Sequence, residues 1–144
     1  MSNTQIAPIP KARLWAGRII TVLPALFLLV DGVMKLFKPA PVVEATVQLG
    51  YSESTIIPMG IVLLACTILY LIPRTAVLGA ILLTGYLGGA VATHVRVGEG
   101  WFSILFPVIF GILLWGGLYL RDDQLPRLIP LRERQVPSLT AGRA

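Results

Sequence analysis

The chain has 144 residues, of which 56% are hydrophobic and 13% charged, and its net charge is +5. A soluble domain carries about 25% charged residues, so this chain has too little polar surface for a water-soluble globule, and its mean hydropathy of +0.80 points to a membrane protein. The basic residues lie mostly at segment ends with no interleaved aromatics, which excludes a nucleic-acid surface and suits topology and anionic-lipid contact.

A polar N-terminal tail, residues 1–12, holds Asn, Thr, Gln and prolines with no periodicity. The membrane domain, residues 13–121, follows. Its first apolar segment runs from about Leu14 to Phe37. Lys11, Arg13 and Arg18 precede it as in a signal peptide, but it ends at Asp31-Gly32 without a small-residue cleavage pattern, so a retained membrane helix is expected. Asp31 and Lys35 are one helical turn apart, on the face of Pro24 and Leu28. Two readings stand: a polar group pointing into the bundle, or an interfacial ion pair with Lys35 reaching outward.

Next comes the stretch PAPVVEATVQLG, Pro39 to Gly50, which reads as a short interfacial helix. Pro41 suits its first turn, Glu44 complements its dipole and Gly50 suits its cap. Either Val43, Val47 and Gly50 or Val42, Thr46 and Leu49 are expected to face the membrane. The second apolar segment, about Ile56 to Ile72, contains the only cysteine, Cys66, read as a small buried hydrophobe. A tight Pro73-Arg74 turn leads into the third segment, about Ala76 to Val95.

The third segment carries the sequence's most distinctive run, TGYLGGAVATHVRVG. Gly85, Gly88 and Gly89 include a G-x-x-x-G pair, which suits close helix packing inside the bundle or a homodimer seam. Tyr86, Ala90 and His94 share one face, whereas Arg96 lies roughly 200° round the helix from His94. The fourth segment, about Phe102 to Leu120, contains Pro107 and Gly111, which should bend it and free the Ser103 carbonyl. Trp15, Tyr51, Trp101 and Tyr119 fall at predicted interfaces, and Trp115 lies deeper, lining a cavity or facing lipid. A basic, proline-containing tail, residues 122–144, ends the chain, and both tails are expected to be partly disordered.

Each apolar segment fits or nearly fits the roughly 20 residues that cross a bilayer, and lipid requires helices there. The expected fold is therefore an all-α membrane protein, a bundle of four transmembrane helices with a short interfacial helix between the first two. With four spans, Lys11, Arg13, Arg18, Arg74, Arg121, Arg127, Arg132, Arg134 and Arg143 share one side. Only Lys35, Lys38 and Arg96 occupy the other. The positive-inside rule then places both termini in the cytoplasm of a multi-pass protein of the cell membrane.

The first and third segments end at the same outer depth, which brings Asp31, Lys35, His94 and Arg96 to one level, with Glu44 covering them and Tyr86 deeper on the His94 face. Either they form an outer polar pocket or they anchor the bundle's rim. One histidine and one cysteine rule out a haem held by two histidines and a cysteine-rich metal site, and the carboxylate spacing supports no metal. No phosphate loop, nucleophile elbow or dinucleotide fingerprint occurs.

Three stretches, DGVMKLF, LYLIPRTAVLGAILLTGYLGG and AVATHVRVG, resemble the DoxX-like family of small four-helix membrane proteins over about Arg18 to Arg121. The family takes its name from a subunit of an archaeal thiosulfate:quinone oxidoreductase, and related proteins look like partners in membrane redox complexes or assembly chaperones. The resemblance implies a redox-associated subunit with a membrane redox partner protein and an outer pocket for a quinone headgroup or small anion. A non-enzymatic assembly or scaffold protein is the alternative, a small transporter a third. Homo-oligomerisation is compatible with each.

Overall fold

A computed structural model describes residues 10–121 and Leu125. The two polar tails, apart from Pro10 to Ala12 and Leu125, lie outside the described residues. Five α-helices occur in order: α1 (Lys11–Phe37), α2 (Ala40–Gln48), α3 (Ile56–Leu71), α4 (Ala76–Val97) and α5 (Trp101–Arg121). A 3-10 turn, Glu53–Thr55, leads into α3 and extends it to a membrane-spanning length. α1, the extended α3, α4 and α5 are each long and apolar enough to cross a bilayer. The chain is a multi-pass membrane protein with a four-helix bundle, as the apolar segments predict.

Local chemistry sets the ends of these elements. Lys38 takes a left-handed conformation (φ 50°) and its N–H caps α1 on the Met34 carbonyl. Pro39 cannot prolong that helix, and the chain turns into α2 with Pro41 in its first turn. α5 continues through Pro107 as one helix.

The helices form a ring in which α1 packs on α3 and α5, and α4 packs on the same two. α1 and α4 therefore face each other across the bundle. Leu28, Leu63, Leu83, Leu114 and Leu118 fill the core with Tyr70, whose buried hydroxyl donates to the Leu114 carbonyl at 2.7 Å. Burying that hydroxyl unpaired would cost about 1–3 kcal/mol. Arg121 donates to the Tyr70 carbonyl at 3.1 Å and lies over its ring, tying the end of α5 to α3.

Close approach is concentrated at particular glycines. A Cβ on Gly79 would fall on the backbone of Tyr70, and one on Gly117 would strike Thr21. A Cβ on Gly60 would come within 2.8 Å of the Lys35 Cβ, and one on Gly32 within 2.7 Å of Leu64. These contacts seal α3 to α4, α5 to α1 and α1 to α3. The expectation that Gly85, Gly88 and Gly89 pack helices inside the bundle is not met, since a Cβ at any of them would meet nothing within 4 Å. Their face of α4 borders open space, because the tight α3–α4 contact is made two turns earlier, at Gly79.

Gly79→Ala should therefore destabilise the bundle by about 1–3 kcal/mol through overpacking. Gly85→Ala should be neutral or stabilising by up to about 1 kcal/mol, since alanine is the better helix former. Buried Cys66 supplies the readout: the temperature at which its thiol becomes open to alkylation should fall for Gly79→Ala and hold or rise for Gly85→Ala.

Candidate functional site

At the α2 end of the bundle the open face of α4 borders a cavity of about 610 Å³. This lies within the roughly 300–1,000 Å³ of small-molecule sites. Its walls come from α1, α4 and α5 with Met59 of α3, and α2 with its cap residue Leu49 lies across it as a cover, contributing Pro41, Val42, Ala45 and Thr46. The face of α2 that includes Val42, Thr46 and Leu49 thus lines the cavity, and Val47 on the other face is exposed.

One wall is aromatic. Phe106 and Phe110 sit one turn apart on α5, with ring centroids 4.7 Å apart. Phe27 of α1 meets them at 5.5 and 4.9 Å. The opposite wall is the backbone of α4 at Gly85 and Gly89, where the missing side chains leave room.

The polar lining consists of Asp31, Lys35, Tyr51, Tyr86, Thr93, His94 and Thr46, whose hydroxyl donates to the Val42 carbonyl. Asp31 and Lys35 form an ion pair, with the Lys35 Nζ 2.6 Å from both carboxylate oxygens. Each offsets the desolvation of the other, which makes a charge at this depth tolerable. The Tyr51 hydroxyl lies 2.7 Å from the Thr93 Oγ1, which itself donates to the Gly89 carbonyl, so Tyr51 is the donor of that pair. The Tyr86 hydroxyl makes no hydrogen bond with a described residue.

His94 is placed by the turn that ends α4. Gly98 adopts φ 71°, the left-handed cap glycine favours, and the Glu99 N–H returns to the His94 carbonyl at 3.1 Å. That reversal carries the Glu99 carboxylate back to the imidazole, 3.0 Å from Nδ1. The Ser103 hydroxyl first, and then His94, hold the exposed Glu99 carboxyl below the usual carboxylate range. With Nδ1 engaged by Glu99, Nε2 is the ring nitrogen left for other partners.

Four of the expected pocket residues, Asp31, Lys35, Tyr86 and His94, converge on this cavity. Arg96 and Glu44 do not. Two residues beyond His94, Arg96 points around the helix and donates to the Leu49 carbonyl at 2.8 Å, fastening the end of α2. Glu44 is exposed on α2, off the cavity face. Gly85 and Gly89 line the cavity, and Gly88 lines a neighbouring groove.

Sequence reasoning gave no site role to Glu99, Thr93, Tyr51 or the three phenylalanines. The signal for Glu99 was the Gly98 cap, which returns the following residue to the helix's last turn. Phe106 and Phe110 were marked by their spacing of four. No metal-binding cluster of His, Cys, Asp and Glu occurs among the described residues.

The sequence model of the DoxX-like family matches residues 19–117, well over half of the chain. No curated protein and no solved structure matches it significantly. The matched region runs from the first turns of α1 nearly to the end of α5 and includes every cavity residue.

Asp31→Asn should strand the Lys35 ammonium and cost about 1–3 kcal/mol, below the full penalty of a buried pair because Asp31 is partly exposed. Adding Lys35→Met should recover most of that loss, and a double-mutant cycle on the Cys66 alkylation midpoint measures it. Tyr51→Phe should loosen the cover by about 0.5–1.5 kcal/mol. Hydrogen exchange should accelerate in residues 45–51 and stay unchanged in the core of α3.

Proposed function

The chain belongs to the DoxX-like family, and on that premise we propose that its cavity binds the headgroup of a membrane quinone, within a redox assembly whose electron carrier lies on another protein. One observation carries the reading: an aromatic wall of Phe27, Phe106 and Phe110 shares a single cavity with hydrogen-bonding groups from α1 and α4. A quinone ring is a flat apolar plate with a carbonyl acceptor at each end. Aromatic side chains fit its faces, and hydroxyl, imidazole and ammonium groups supply the donors its oxygens need.

The residues divide these tasks. The Tyr86 hydroxyl has no hydrogen-bond partner among the described residues and offers the freest donor. His94, oriented through Nδ1 by Glu99, offers Nε2 as a second contact. When Nε2 is unprotonated it accepts a proton from a hydroxyl, and when protonated it donates to a carbonyl. Exposed Glu99 connects that imidazole to the water outside. Lys35 is held by Asp31 and sets the polarity of the cavity rather than its net charge.

This pairing favours a quinone over a small anion. Lys35 is neutralised by Asp31, His94 faces Glu99, and Arg96 lies off the cavity, so among the described residues no unpaired cation lines it to repay an anion's desolvation. By the positive-inside rule, the basic residues at the Pro73 turn and before α1 favour a cytoplasmic position for that end of the bundle, with the cavity toward the far side of the cell membrane.

Purified protein should show a raised Cys66 alkylation midpoint when ubiquinone-1 is added. At a hundredfold excess over Kd, the gain is about 2.7 kcal/mol. Tyr86→Phe and His94→Phe should each weaken that binding about tenfold, the value of one hydrogen bond of about 1.4 kcal/mol. Organic extracts without quinone, together with no response to added ubiquinone-1 or menaquinone, would contradict the reading.

A further inference from the structure

A second hollow, about 640 Å³, runs along the outside of the bundle between α4 and α5. Leu87 and Pro107 line both spaces, so the two adjoin across these side chains. It follows α5 from Pro107 to Tyr119, roughly 18 Å at about 1.5 Å per residue, and Leu125 closes its far end.

Its lining is apolar: Val91, Val108 and Ile112 form the sides, and Gly88, Gly111 and Gly116 give it depth. The two polar groups midway engage each other, since the Trp115 indole N–H donates to the Thr84 Oγ1 at 2.9 Å. That hydroxyl in turn donates to the Ala80 carbonyl at 2.7 Å. The groove therefore offers a long apolar trough beside a polar chamber.

We propose that this groove holds the isoprenoid or alkyl tail of the ligand whose headgroup occupies the cavity. The ligand is then a long-tailed amphiphile that enters from the bilayer between α4 and α5. The inference rests on the headgroup reading and adds a second, separate site to it. It also explains the glycine face of α4: Gly85 and Gly89 make room for the head, and Gly88 makes room for the tail. A headgroup site alone requires nothing of Gly88, which faces the groove and lines no part of the cavity.

The test compares ubiquinone-1 with ubiquinone-10, each titrated against wild type, Gly88→Leu and Gly116→Leu in one detergent. A Cβ at either glycine meets nothing within 4 Å, so both variants should fold, and protection of Cys66 from alkylation verifies it. Comparing the long-to-short affinity ratio of each variant with that of wild type cancels the partition of the tail into micelles. The ratio should fall about tenfold or more in both variants, with ubiquinone-1 affinity within twofold of wild type. An unchanged ratio, with ubiquinone-1 still binding, would overturn the tail site and leave the headgroup reading standing. Loss of ubiquinone-1 affinity in both variants would also overturn it, since the groove would then not be separate from the cavity. Failure of wild type to bind either quinone would remove the headgroup reading and this inference with it.

Discussion

The architecture depends on where the helices are allowed to touch. Apolar side chains gain little by leaving lipid for one another, so helix association in a membrane relies on close packing and satisfied polar groups. Here close packing is supplied at Gly79 against Tyr70, Gly117 against Thr21, and Gly32 and Gly60 across the α1–α3 seam. The first two sit toward the Pro73 end, where Tyr70 and Arg121 add hydrogen bonds between α3 and α5. Toward the α2 end of α4 the glycines meet no neighbour, while the facing positions of α1 and α5 carry phenylalanines. A bundle pinned in this way holds a chamber at one end without unfolding around it.

The chamber's polar groups are arranged to survive there. Asp31 is paired with Lys35 on its own helix, the Tyr51 hydroxyl with Thr93, and His94 with Glu99 through the turn that ends α4. These pairings are short in sequence or close to the cover, so they hold the site without crossing the aromatic wall. The same residues that orient the donors also secure α2: Thr93 holds Tyr51 just after that helix, and Arg96 holds its last carbonyls. Site geometry and closure of the chamber thus share one stretch of α4.

The fold was legible because its determinants are compositional. Four apolar segments of spanning length admit few alternatives in lipid, and Pro39, Pro41 and Pro73 mark the breaks between helices. The depth of Asp31, Lys35 and His94 followed from counting residues along helices of known rise, and Tyr86 from its place on the His94 face. What the sequence concealed was contact. A glycine pair at spacing four reads the same whether a neighbouring helix fills it or a cavity does, and only the position of Gly79 decided the matter for Gly85 and Gly89. Arg96 lay at the right depth but on the wrong side of its helix, as its angular offset from His94 already indicated. Glu99 was hidden because its role arises from a left-handed turn at Gly98, which places a loop residue back against the helix it has just left.

Photolabelling with an azidoquinone, followed by mapping of the modified peptides, tests the central claim most directly. The account predicts labelling confined to residues 84–94 of α4 and 106–110 of α5, suppressed by excess unlabelled quinone. Labelling spread over the lipid-facing surfaces of α1 and α3, with no suppression by competitor, would contradict it.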